Sequence, residues 1–193
     1  MQQATTEPIH CKATMKHNMK WFERTFPMDL PAWMFSSILE RLRGTPARLE
    51  ERIETIPKHH LIAQPNGNWS IQENIGHLLD LEPLWNGRLE DLLAGAHTLR
   101  PTDLANTATD LANHNTSAIR DVLRDFRSAR RALVNRLEAL TDHDLGKTAL
   151  HPRLHKPMNI IDKMFFVAEH DDHHLAQMSV LMKNTEGVLL VAH

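Results

Sequence analysis

From Phe35 onward the apolar residues recur at helical spacing. Phe35, Ile38, Leu39 and Leu42 share one face, and after Gly44 the stripe resumes with Leu49, Ile53 and Ile56. Pro31 suits a first turn, and Thr45-Pro46 reads as an N-cap followed by a first-turn proline, so the stretch to Pro57 is one bent helix or two. Lys58 to Asn68, with Pro65, Asn66 and Gly67, is a loop. A second helix opens on Ser70-Ile71-Gln72-Glu73, the pattern of a capping box. It carries Ile71, Ile75, Leu78, Leu89 and Leu93 inward and ends at Gly95, with a kink expected from Pro83 just before Trp85. Residues 96–116 keep no period and read as a long crossover. The third helix, about Ser117 to Leu140, aligns Ile119, Val122, Leu123, Phe126, Leu133 and Leu137. Gly146, Pro152 and Pro157 break a connection over 141–158, and a fourth helix runs from about Asn159 to Lys183.

Four long amphipathic segments without strands predict an all-α fold, a four-helix up-down bundle with long crossover loops. Residues 1–30 form an N-terminal arm that packs Trp21, Phe22 and Phe26 on the body, 31–183 the bundle, and 184–193 a C-terminal tail. A length of 193 residues suits one such domain, and the absence of Tyr with only seven Gly favours helix over sheet. The net charge of -2 lacks the basic excess of a nucleic-acid binder, so no nucleic-acid partner is expected. The stripe Arg120, Arg124, Arg127 and Arg131 accordingly reads as a solvated face paired with local carboxylates such as Asp121 and Asp125. One cysteine, Cys11, rules out an intramolecular disulfide and suits a reducing, cytoplasmic setting. No apolar run approaches the ~18 residues of a membrane span, and the N-terminus lacks a signal-peptide core. His10, Cys11 and His17 fit no familiar metal spacing and read as surface residues.

The histidines change the picture. His170 and His174, four residues apart, point the same way on the fourth helix, into a face shared with Phe166, Val167, Gln177, Met178 and Leu181. Two imidazoles turned into a core need partners, and His77, beside Gly76 at the edge of the second helix's apolar face, is the candidate third ligand. The missing side chain of Gly76 lets a neighbouring helix or ligand approach closely. Three neutral imidazoles suit a divalent metal, zinc first, with nickel or iron as alternatives, and leave a position open for water or substrate. Asp171 follows His170 where a zinc peptidase would need Glu, so that motif fails. His173 reads as a partner of His170 or a donor behind the ligands. Glu82 is a buried carboxylate or general base unless the Pro83 kink turns it to solvent, the reading preferred here. Gln177 would orient a bound water or bond another helix. His151 and His155 read as exposed loop residues.

Trp69-Ser70-Ile71-Gln72-Glu73-Asn74-Ile75-Gly76-His77-Leu78, followed far downstream by Glu169-His170-Asp171-Asp172-His173-His174-Leu175-Ala176-Gln177, resembles the DinB family of four-helix bundle proteins, which includes bacillithiol and mycothiol transferases. The likeness spans roughly residues 34–183. It implies a divalent metal on His77, His170 and His174, a homodimer, and a small-molecule substrate, a low-molecular-weight thiol among the candidates. The expected activity is metal-dependent hydrolysis or thiol-dependent S-transfer, with no catalytic residue assigned. A non-catalytic bundle, tied together by metal and acting through dimerisation or partner binding, is the alternative.

Overall fold

The computed structural model describes residues 19–64 and 67–189, with side chains to 183. Pro65 and Asn66 of the first loop, and His10, Cys11 and His17 of the arm, lie outside the described residues. The first long helix, α1 (Met34–Ile53), runs unbroken through Gly44 and Pro46. Pro46 lacks the N–H that would reach the Leu42 carbonyl, and Arg130 Nη1 donates to that oxygen instead at 3.3 Å. The helix keeps its path because the freed carbonyl is satisfied from across the bundle. After a short α2 (Lys58–Leu61), α3 (Ile71–Asp80) starts on the expected capping box, with the Glu73 N–H donating to Ser70 Oγ at 3.0 Å and the Ser70 N–H to the Glu73 carboxylate at 2.7 Å. The kink proves to be a break two residues ahead of the proline: α4 (Glu82–Leu93) restarts after Leu81 with Pro83 in its first turn, where a missing N–H costs nothing.

The crossover carries its own structure, α5 (Thr107–Ala112) and one 3-10 turn at His114–Thr116, before α6 (Ile119–Glu138). The next connection holds α7 (Asp142–Leu145) and an antiparallel pair, β1 (Thr148–Leu150) and β2 (Pro157–Asn159), in which Ala149 faces Met158. Strands of three residues are too short to show a period of two, so the sequence reading missed them. The last helix, α8 (Ile160–Leu189), continues beyond Lys183.

In the bundle α1 packs on α6 and α8, and α3 on the same two helices, which makes α3 and α8 neighbours. Ion pairs fix the directions. Arg43 meets Glu138 and Arg127 meets Glu50, so α1 and α6 are antiparallel; Arg41 and Arg48 both meet Asp172 while Arg52 reaches the Leu175 carbonyl, so α1 and α8 are parallel. Glu82 with Arg130 and Asn86 with Arg136 make α4 and α6 parallel as well. The long helices therefore run up, down, down, up, an order that periodicity does not encode and that makes a long crossover between α4 and α6 necessary.

The core is two apolar clusters. One gathers Ile71, Ile75, Leu78, Phe126, Leu175 and Met178, the other Leu42, Trp85, Leu89, Leu133, Phe166 and Val167. Each fully buried side chain of this size stabilises by about 1.5–3 kcal/mol. Between the clusters α1, α4, α6 and α8 contribute Thr45, Glu82, Arg130 and Asp171 to a buried polar layer, and on α8 His170, His173 and His174 are buried beside it. Arg130 donates to Glu82 at 2.6 and 2.9 Å and to Asp171, and Thr45 Oγ1 donates to Asp171 at 2.8 Å. The break at Leu81 thus turns Glu82 inward and not to solvent, because a buried guanidinium awaits it there. Asp171 is likewise drawn into the bundle, away from any role beside His170.

The arm is pinned at two places. Trp21 and Phe26 pack on Phe166 with ring centroids 5.0 and 4.8 Å away, and the N–H groups of Asp29 and Leu30 donate to Asp162 at 3.1 and 2.9 Å. On the Arg stripe, Arg124 pairs with Asp121 and Asp125 as expected, while Arg127 reaches across to α1. No helix among the described residues is long and apolar enough to cross a membrane.

Candidate metal centre

Antiparallel packing of α3 on α8 brings His77, His170 and His174 together, with ring centroids 4.6 to 5.3 Å apart and one ligand nitrogen of each within 4.8 Å of the others. A tetrahedral ion with nitrogens at about 2.0–2.1 Å holds them about 3.3 Å apart, so binding would draw the three rings together. Hydrogen bonds fix which nitrogens are presented. Asn74 Nδ2 donates to the Ser70 carbonyl at 2.8 Å, which turns its Oδ1 to accept from His174 Nδ1–H at 2.8 Å. Thr109 is hydrogen-bonded to the Asp80 carboxylate, so its oxygen is free to accept from His77 Nδ1–H at 3.0 Å. Both rings are left with an unprotonated Nε2, and the chain Asp80–Thr109–His77 is the kind of outer support that orients metal ligands. His170 is 5% exposed, and its Nδ1 is buried without a hydrogen bond among the described residues. An orphaned imidazole beside two oriented ones suits an ion better than a closed polar core.

Burial keeps the rings neutral, which is the ligand form. His77 is pushed down to about 4, and His170 and His174 well below their ordinary range, neighbouring imidazoles adding to the burial in those two. The metal-free protein should therefore lose stability as pH falls from about 6.5 toward 4, because the unfolded chain takes up protons that the folded rings refuse. Each such histidine contributes a slope of at most about 1.4 kcal/mol per pH unit, and above pH ~7 the effect is fully present and flat. Melting temperatures of metal-free protein across this window test it; a profile level down to pH 5 would contradict the burial described here.

Gly76 has a specific reason. A methyl group there would overlap the His114 ring, whose Nε2 lies 2.9 Å from Asp80 Oδ2. The close approach foreseen at Gly76 comes from the crossover and not from a helix or ligand. The same turn is held by Gln72, which donates to the His114 and Ser117 carbonyls at 2.5 and 2.9 Å. Gly76→Ala should destabilise by about 1–3 kcal/mol in urea titrations. It should also weaken metal binding, because the displaced crossover carries Thr109.

The three rings line a cavity of about 1040 Å³ walled by Trp21, Trp69 and Trp85, by crossover residues 101–104 and 106, and by the 151–153 turn. His173 lines it too, against Trp21 at 5.6 Å and with Nε2 2.8 Å from the Gln177 amide nitrogen. Gln177 thus bonds its own helix and not another. His151 corrects the sequence reading: it is 3% exposed, because the β1–β2 pair turns it inward, whereas His155 is exposed as expected. Arg88 and Arg153 also line the cavity, and nothing in their spacing separates them from surface cations in the sequence.

The sequence profile of the DinB superfamily matches residues 41–178. No curated protein matches the chain. Among solved structures, YfiT from Bacillus subtilis, described as a probable metal-dependent hydrolase with an unusual four-helix bundle topology, is similar with TM-score 0.75 and 19% identity over 85% of this chain and 94% of that one. The mycothiol-dependent maleylpyruvate isomerase is similar with TM-score 0.56 and 13% identity over 81% of this chain and 62% of that one. At such identities the likeness shows the fold. The profile covers more than two thirds of the 193 residues, and the chain belongs to the DinB superfamily.

Proposed function

We propose that this member of the DinB superfamily is a divalent-metal-dependent enzyme acting on a small molecule, by hydrolysis or by transfer of a low-molecular-weight thiol, with His77, His170 and His174 as the metal ligands. One observation carries the reading: the three imidazoles face a large cavity, and no fourth His, Cys, Asp or Glu among the described residues joins the group. Structural zinc sites are closed by four protein ligands, whereas working sites keep one position for water or substrate. Zinc fits the three nitrogens best, with nickel or iron as alternatives. A bound ion would supply Lewis acidity, lowering the pKa of a water or thiol placed beside it.

The chain's own part is binding and orientation. Trp69 packs on His77 at 4.8 Å, and Trp21 and Trp85 pack on His170 at 4.9 and 5.7 Å, so aromatic rings border the histidines. Among the described residues Glu82 and Asp171 are engaged by Arg130, and Asp103, which lines the cavity, caps the N–H groups of Ala105 and Thr107, so none of these carboxylates stands ready as a base. Burial pushes His173 down to about 4, which makes it a weak base at neutral pH. With no ready base among these residues, a thiol, more acidic than water, would suit the site better as nucleophile. The two structural neighbours support either chemistry, one being described as a hydrolase and the other as thiol-dependent. The protein is further proposed to be a cytoplasmic homodimer with neither nucleic-acid nor membrane partners, its dimer mass readable by light scattering.

The test is to load the protein with cobalt and titrate a panel of small thiols. A sulfur-to-metal charge-transfer band, together with conjugate formation on a haloaromatic or epoxide substrate that His77→Ala abolishes, is the expected outcome. A spectrum that no thiol perturbs, at a site that still exchanges water, would move the assignment to hydrolysis.

A further inference from the structure

We propose that Arg88, His151 and Arg153 form an oxyanion subsite in the same cavity, and that the substrate is an anionic small molecule carrying a carboxylate or phosphate on an apolar body. This rests on the reading of the cavity as a substrate site. All three side chains line it, and Arg88 and His151 are 1% and 3% exposed.

The argument comes from hydrogens that lack acceptors. His151 Nδ1 accepts from the backbone N–H groups of Arg153 and Leu154 at 3.3 and 3.2 Å. A neutral imidazole has one acceptor nitrogen, so its proton sits on Nε2. That Nε2 lies 3.3 Å from Arg88 Nη1, which is also a donor. Two donors aimed at each other do not bond; both are satisfied only by an acceptor lying between or beside them. Arg88 spends its Nε on the Arg100 carbonyl at 3.0 Å, and its Nη2 is buried with no partner among the described residues. Arg153 Nη2 is in the same state. A buried donor left unsatisfied costs about 1–3 kcal/mol, more when it is charged, so this cluster is unfavourable by itself and suits an anion.

The nearby carboxylates are committed elsewhere. Asp91 takes the Arg100 side chain at 2.8 and 3.0 Å and its N–H at 2.8 Å, and Asp103 caps the N–H groups of Ala105 and Thr107 at 2.8 and 2.7 Å. The aromatic rings between the two sites define the body of the ligand. Trp85 is 5.7 Å from His170 and Phe166 is 5.3 Å from His151, centroid to centroid, so these rings separate the cations from the three histidines. A ligand that spans both would place its anion on the guanidinium fork, which matches two oxygens at once, and its reacting atom at the imidazoles.

The experiment uses metal-free protein in low-chloride buffer, titrated by calorimetry with benzoate and, separately, with inorganic phosphate. At least one should bind with a single site per chain, and the tighter of the two identifies the anionic group. Arg88→Lys and Arg153→Gln should each weaken that binding roughly tenfold or more, the loss expected for a charge-assisted hydrogen bond. Arg153 is only partly buried, so its variant stays informative if Arg88→Lys fails to fold. Arg153→Gln should still take up the divalent metal as wild type does, which separates failure of this subsite from failure of the metal reading. Binding of neither anion, or equal binding by wild type and Arg153→Gln, would overturn the proposal.

Discussion

Replacing His170 or His174 with alanine is expected to abolish stoichiometric binding of a divalent metal, while His173→Ala leaves most of it. The three proposed ligands stand on two helices, so losing either α8 histidine leaves one of them on each helix. Changes to groups that merely support ligands cost about 10–100-fold in affinity, the size expected for Asn74→Ala and Thr109→Ala, and loss of a ligand costs more. His173 lies outside the ligand group and packs on Trp21 and Gln177. Metal content after equilibrium dialysis reads all five variants, and equal loss at His173 would mean that the ligand pair on α8 is wrongly chosen. Chelation of the wild type should lower its melting temperature by linkage and leave the helical circular dichroism intact, because the two apolar clusters hold the bundle without an ion.

The largest expected change in stability comes from Arg130→Met. Arg130 is 1% exposed and is shared by Glu82 and Asp171, themselves 1% and 0% exposed. Removing the cation strands two carboxyl groups in the core and frees the Leu42 carbonyl opposite Pro46. Breaking a buried ion pair in this way costs about 3–5 kcal/mol, which for a chain of this size lowers the melting temperature by roughly 10 °C or more. The triple variant Glu82→Gln, Arg130→Met, Asp171→Asn should recover much of that loss, since no unpaired charge remains. Urea titrations of the two variants decide it. A single variant within about 1 kcal/mol of wild type would mean that the layer is hydrated and not a dry ion network.

The four helical stripes, the capping box at Ser70 and the inward turn of His77, His170 and His174 were all legible in the sequence, because each is a local pattern whose spacing alone dictates a face. What escaped has long-range causes. Arg130 stands beside Arg127 and Arg131 in a basic run and looks like part of a solvated stripe; only the bundle's directions bring Glu82 and Asp171 to it. His151 reads as a loop residue until a pair of three-residue strands folds it inward. Pro46 signals a helix restart, and the carbonyl it orphans is satisfied by a residue 88 positions away. Gly76 was legible as a point of close approach, whereas its partner, His114, lies in a crossover without periodicity.

An open three-histidine metal site would show itself in anomalous diffraction at the absorption edge of the metal found in the purified protein. One peak per chain is expected, within bonding distance of His77, His170 and His174, with a fourth position free of protein side chains and facing the cavity. A peak at other residues, or a fourth protein ligand closing the ion, would contradict it.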